Sequence, residues 1–461
     1  MLLFTFLFSL LSTSFKPIQA DSIVVVNEIV LNGHHKTKES IIFRELDFKI
    51  GDTLFINAVN KRLEINRRKI VNTNLFISVE IHHQVTENGQ LNIQIQLQEQ
   101  WFLLGYPVFL LADRNFSEWW DRGHDFNRTI YGIDLIHSNF RGRAERLSLH
   151  LENGFTQRVD VGYKIPYINK AQKTGMGFSV SYMTNNNVAF RSLNDTLFYF
   201  RSRGLTMRER FSTAIFLKKR IGFYDNHTVE LRYNSISIND TIRKLNPNYF
   251  ANHGTLQRYA QLSYSFNHDF RDNVAYPLRG KRYGILINKL GILPNDDINQ
   301  LEITGDYSYY RPLSRKWFFG MSIEAKISFP DRQPFYNTRG LGYGSRLVRG
   351  YELFVVDGSK YFYGKQTLRY ELFNKKINLK FLKTKQFNKI PIGLYPTLFG
   401  DYGYVENRFS DENKSKLANK MLYSYGCGLD VVTYYNLVVR FNYAINSFNK
   451  GHFVFNIGRE F

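Results

Sequence analysis

The chain has 461 residues and a formal net charge of +21. That length exceeds what one hydrophobic core usually organises, so more than one unit is expected. Lys and Arg are scattered from Lys36 to Arg459 with no nucleic-acid motif among them, which argues against nucleic acid as a partner. The single cysteine, Cys427, excludes an internal disulfide.

Residues 1–20 read as a secretory signal peptide. Leu2 to Leu11 is an apolar run of h-region length, and Ile18-Gln19-Ala20 supplies a cleavage site. No cysteine lies beside that site, so a lipoprotein is not expected. No later apolar run approaches the roughly 20 residues of a transmembrane helix. A closed β-barrel is the other way to cross a bilayer, because its backbone groups pair between strands.

Residues 22–99 form a small α+β unit. Val24 to Leu31 is an apolar strand closed by Asn32-Gly33. Thr37 is placed to cap a helix over Lys38 to Phe48, and Gly51-Asp52 ends it. A second helix, Asn57 to Asn72, puts Val59, Leu63 and Ile70 on one face. Phe76 to His82 is a strand, Glu87-Asn88-Gly89 a hairpin turn, and Leu91 to Leu97 a strictly alternating strand. This β-α-α-β-β order, with Asn74-Leu75-Phe76 and the closing Gln98-Glu99, resembles a POTRA domain. The resemblance implies a periplasmic module that binds unfolded clients or partner proteins by adding a strand to its sheet edge. A spacer at the barrel mouth is the plainer reading.

From Trp101 to Phe461 the period is two. Leu147, Leu149 and Leu151 alternate with Ser148, His150 and Glu152, and Val439, Phe441 and Tyr443 alternate with Arg440 and Asn442. Alternation alone does not say which face is wet. The signal peptide, the 30 Tyr and 40 Phe, and the terminal Phe461 favour a membrane barrel with aromatic girdles. About 16 strands fit, from 101–112 to 452–461, if 187–204 extends one tall hairpin.

Between two such strands lies a Gly-rich stretch, Arg339 to Gly358, with Val348-Arg349-Gly350-Tyr351 at its middle. It reads as part of a loop, about 330–358, folded back into the lumen. If Leu398, Tyr402 and Tyr404 face lipid, period two turns Phe399, Asp401 and Gly403 inward, and Glu371 likewise on the neighbouring strand. Arg349 then has one or two carboxylates to bind through its planar fork. Arg346 has no acid assigned to it. The pair would hold a seam or gate in one arrangement, or serve only as a static strut.

Other motifs fare less well. His34-His35 and His82-His83 are adjacent pairs, which a strand splits between its faces, so no metal is expected. Gly340, Gly342 and Gly344 lack the Lys-Ser/Thr of a phosphate loop. No nucleophile, base and acid come together, so neither an enzyme nor a cofactor is expected.

Several motifs together resemble the BamA/TamA-type outer-membrane assembly family, a bacterial surface antigen barrel here with one POTRA domain. Asn139-Phe140-Arg141-Gly142 looks like that family's tight turn after the second barrel strand. Asp269, Arg271, Asp272, Pro277 and Gly280 match its D-x-R-D…P-x-x-G turn. Val348-Arg349-Gly350-Tyr351 matches the signature of its inward loop, and Phe399, Asp401 and Gly403 match the F-x-D-x-G strand that receives it. Phe461 ends the chain as an outer-membrane sorting signal does. The resemblance implies a factor that inserts or assembles outer-membrane proteins, with clients engaged by the POTRA domain and a lateral seam between the first and last strands. A two-partner-type secretion pore and a non-translocating anchor for an outer-membrane complex are the alternatives. The main assembly factor usually carries several POTRA domains, and the usual pore carries two with a plug helix.

Overall fold

The computed structural model describes residues 23–111, 119–120, 123–169, 173–202, 204–378, 389–433 and 437–458. The expected signal, 1–20, and Phe461 lie outside the described residues. The chain divides into two compact units, residues 1–100 and 101–461.

The first unit runs β1 (Ile23–Asn32), α1 (Glu39–Phe43), β2 (Thr53–Phe55), α2 (Ile56–Val71), β3 (Phe76–Val85) and β4 (Gln90–Glu99). The sheet order is β2-β1-β4-β3. β1 and β4 pair in parallel and β3 and β4 antiparallel. Alternate apolar side chains of β4, Leu91, Ile93, Ile95 and Leu97, are buried with Val59, Leu63 and Ile70 of α2. Two details depart from the sequence reading. α1 stops at Phe43, and Thr37 does not cap it: its backbone N–H donates to the Glu99 carboxylate at 2.6 Å. A short strand, β2, also follows Gly51-Asp52 and covers only Ile23 to Val25 of β1.

The second unit is a closed barrel. Its strands begin with β5 (Leu103–Leu111), β6 (Thr129–Phe140), β7 (Glu145–Gly154), β8 (Thr156–Ile165) and β9 (Thr174–Asn185). β10 (Asn187–Leu193) and β11 (Thr196–Arg201) follow, then β12 (Arg208–Ile221), β13 (Asp225–Ile238) and the helix α3 (Asp240–Leu245). Next come β14 (Leu256–Asp269), β15 (Gly280–Leu290), β16 (Gln300–Pro312), β17 (Trp317–Phe329), β18 (Lys360–Tyr370) and β19 (Phe373–Asn378). β20 (Lys389–Glu406), β21 (Leu422–Thr433), β22 (Leu437–Asn446) and β23 (Gly451–Gly458) complete the wall, which brings β23 next to β5.

Among the described residues seventeen strands enter the closed order. β18 and β19 both pair with β20, one along Thr397–Glu406 and the other along Lys389–Leu394, so they share one position. Seventeen less one gives the sixteen positions expected from the periodicity. The segment 187–204 is a correction. It does not extend the wall hairpin; β10 and β11 make a separate two-stranded sheet. The side chain of Asp195, at its tip, accepts N–H bonds from Lys416 and Leu417 at 2.7 and 3.1 Å. Its carbonyl accepts the N–H of Val355 at 2.8 Å. Val188 of this hairpin packs with Ile236, Ile242, Tyr249 and Phe250 at the far end of the barrel.

Exposure settles which barrel face is wet. The outward residues are apolar: Ile215, Leu231 and Leu262 sit side by side in register on β12, β13 and β14, all exposed. The inward residues are polar: Ser263, Ser308, Lys326, Ser424, Asp430 and Asn442 are buried. A water-soluble sandwich has the reverse arrangement, so the wall is built to face lipid. No helix among the described residues is long and apolar enough to cross a membrane. Leu231→Arg would put a charge in this apolar belt. It should cost about 2–4 kcal/mol near the bilayer midplane, read as a lower denaturant midpoint for the barrel in lipid vesicles. An unchanged midpoint would mean that the belt does not face lipid.

Candidate functional site

The loop between β17 and β18 turns into the lumen and closes on itself. Leu341 and Val356 exchange backbone hydrogen bonds of 3.0 and 2.9 Å, and Tyr343 bridges Arg346. Beyond this turn each residue of Val348-Arg349-Gly350-Tyr351 meets a wall partner.

Arg349 is the centre. Its Nε and Nη2 donate to the two carboxylate oxygens of Asp401 at 2.7 and 2.6 Å, and its backbone N–H adds a third bond at 3.1 Å. Nη2 also reaches the Thr367 hydroxyl at 3.4 Å. The guanidinium lies 3.6 Å from the centroid of the Phe399 ring. The Asp401 side chain is fully buried and that of Arg349 nearly so. One residue of the F-x-D-x-G strand therefore takes the charge and another the flat face of the same guanidinium.

The flanking residues have partners too. Val348 packs with Leu341, Tyr363 and Val405. Gly403 makes this possible, because a Cβ there would stand 2.9 Å from a Val348 methyl and 2.8 Å from Leu341. Gly350 holds φ at 88°, a region that favours glycine, and its carbonyl accepts from the Asn446 side chain at 2.7 Å. The Tyr351 hydroxyl bonds the Ser447 hydroxyl at 2.6 Å and accepts the Ser447 N–H at 3.2 Å. Asn446 and Ser447 lie where β22 turns towards β23. The loop is thus moored to the strands next to the seam, a connection that the motifs do not reveal.

Two expectations fail here. Glu371 is not a partner of Arg349. The wall strand breaks after Tyr370, and Glu371 accepts from Asn374 and Tyr395 instead, at 3.2 and 3.4 Å. Asp401 pairs in register with Lys365, well up the strand from Glu371. Period two gave Glu371 the right parity at the wrong height. Arg346 does have an acid: Glu324 on β17, at 3.5 Å.

The turn motif closes the opposite end. Arg271 binds Asp269 through two bonds of 2.8 and 2.6 Å, as local turn chemistry predicts. One oxygen of Asp272 gathers the N–H groups of Asn273, Leu278 and Arg279 at 2.9, 3.1 and 3.1 Å. Gly280 then opens β15. The segment is not an exposed turn. The Tyr276 hydroxyl donates to Asp430 on β21 at 2.9 Å, and Arg369 on β18 donates to the Pro277 carbonyl at 2.8 Å. Nothing in the sequence points to the contacts of Tyr276, Arg369 and Asp430, because contacts between distant strands leave no local pattern.

Removing Arg349 would strand Asp401 inside the wall. Breaking such a buried pair typically costs about 3–5 kcal/mol, so Arg349→Ala and Asp401→Ala should each destabilise the folded barrel strongly. The double variant should cost clearly less than the sum. Arg349→Lys should rescue poorly, because it keeps the charge and loses the fork. Arg346→Ala should cost much less, since its pair is longer and more exposed. The measurement is a double-mutant cycle on unfolding in lipid, and strict additivity would mean that the two groups do not interact.

Comparison with known proteins agrees with this geometry. The Omp85 superfamily domain matches residues 139–461, which includes every motif of the loop and its wall. No curated protein matches the chain. Among solved structures it is similar to BamA from Haemophilus ducreyi lacking POTRA domains 1–3, at 16% identity and a TM-score of 0.53 over 94% of this chain and 84% of that one. It is also similar to CdiB from Acinetobacter baumannii, at 14% and 0.54 over 95% and 73%. CdiB from Escherichia coli is similar at 12% and 0.54 over 98% and 91%. At such identities the likeness speaks for the fold alone. With the matched domain and the lipid-facing wall, the chain belongs to the Omp85 superfamily and is an outer-membrane β-barrel.

Proposed function

We propose that the chain is an assembly factor that inserts proteins into the outer membrane without nucleotide or cofactor. Its first unit acts as a POTRA domain in the periplasm. Two sheet edges are available to a client there: β3, and β1 beyond the short stretch that β2 covers. An extended client strand added to either gains main-chain hydrogen bonds that are otherwise made with water.

The observation that carries this reading is the mooring of the inward loop to Asn446 and Ser447, beside the last strand. A loop held in the lumen and fastened next to the seam leaves the wall as the exit. Opening between β5 and β23 bares two strand edges within lipid. Unpaired backbone groups are costly there, so a client strand that pairs with them is strongly favoured. The client then adds strands at the seam and leaves sideways into the bilayer.

A second reading, a two-partner-type secretion pore, draws on the likeness to CdiB. It requires the loop to leave the lumen so that an extended partner can pass through. One experiment separates the two. Cysteine pairs placed across Leu103–Leu111 and Gly451–Gly458, in a Cys427→Ser background, should crosslink and abolish client assembly in cells. The locked barrel should keep the heat-modifiable gel migration of a folded one. Full assembly activity in a verified locked barrel would rule out the lateral route.

A further inference from the structure

The lumen holds a chamber of about 310 Å³ beneath the moored loop. Among the described residues four cations line it, Arg349, Lys365, Arg369 and Arg440, against one acid, Asp430. Four of these five charges have a place: Arg349 binds Asp401, Lys365 lies in register with Asp401, Arg369 binds the Pro277 carbonyl, and Asp430 accepts from Tyr276. Arg440 differs. Its Nη2 is buried and has no hydrogen-bond partner among the described residues, and Asp430, its in-register neighbour on β21, accepts from Tyr276.

Two further polar groups face the same space. Thr397 and Asn442 are each 4% exposed, and the Thr397 hydroxyl and the Asn442 side-chain oxygen have no partner among the described residues. A hydroxyl can donate, and an amide can present its NH2 group by a half-turn about its last bond. A buried guanidinium nitrogen without a partner is costly, and so are other buried polar atoms left unpaired. One ligand can satisfy all of them if it brings negative charge and several acceptor oxygens. Arginine suits such a group because its fork binds two oxygens at once.

We propose that this chamber binds a small oxyanion of the phosphate class, held by Arg440 and Lys365 with Thr397 and Asn442 completing the cradle. The site lies on the inner face of the wall and is independent of the assembly reading. The phosphate group can come from a free anion or from a lipid headgroup.

The test is calorimetric titration of the purified full-length chain, in an uncharged detergent at fixed ionic strength, with pyrophosphate and separately with dihexanoyl phosphatidylglycerol. Pyrophosphate should bind saturably. Arg440→Gln and Lys365→Gln should each weaken it at least about tenfold, or about 1.4 kcal/mol. Arg440→Lys should recover part of the loss. Arg332→Gln, an exposed guanidinium paired with Glu412, should change nothing. Heat-modifiable migration reports folding, and if Arg440→Gln does not fold, Thr397→Val tests the same cradle and should weaken binding several-fold. Saturable binding of the lipid alone, lost in the same variants, supports the phosphate site and assigns its source to a headgroup. No saturable binding of either ligand, or equal affinity in the native chain and its cradle variants, would overturn the proposal.

Discussion

The arrangement of the lumen depends on one buried ion pair. Asp401 sits on a wall strand with its side chain fully buried, and an isolated carboxylate there would be expensive. Lys365 is its in-register neighbour on β18, but the hydrogen bonds come from the inward loop, where Arg349 gives two side-chain bonds and one backbone bond. The pair exists only while the loop is inside. Its energy is therefore less a bonus to barrel stability than a condition on where the loop sits, which is how buried ion pairs contribute most clearly. The flanking residues convert that position into a fixed orientation: Val348 fits over Gly403, and Tyr351 reaches the start of the β22–β23 turn.

Two other devices bracket the loop. At the far end the β10–β11 hairpin inserts Asp195 between the loop and the segment after β20, bonding Val355, Lys416 and Leu417. At the other end the segment after β14 reaches β18 and β21 through Pro277 and Tyr276. Neither is a regular element of the wall. Both satisfy buried polar groups of the barrel interior, which a lumen lined by charged residues makes obligatory.

Much of this was legible in the sequence because membrane strands leave a rigid signature. Each must offer an apolar face to lipid and a polar face to the lumen, so period two survives along the whole barrel and located all sixteen wall positions. The same parity put Asp401 and Phe399 inward and so identified the partner of Arg349. Parity does not give height, which is why Glu371 looked equivalent to Asp401 although it lies past the end of β18. Contacts between loops were invisible, because Tyr276 with Asp430 and Asp195 with Leu417 join segments far apart in sequence and without periodicity. Residues 187–204 read as the extension of one tall hairpin, and only the strand partners show that β10 and β11 form a sheet of their own.

If the ion pair governs the wall beside the last strand, releasing it must change the seam. Spin labels at Phe109→Cys on β5 and Phe453→Cys on β23, both exposed on the lipid face, report that distance directly in a Cys427→Ser background. With Arg349 and Asp401 in place the distance distribution in lipid nanodiscs should be narrow. Arg349→Ala or Asp401→Ala should broaden it towards longer distances. A distribution that remains narrow and unshifted in both variants would contradict the coupling of loop to seam.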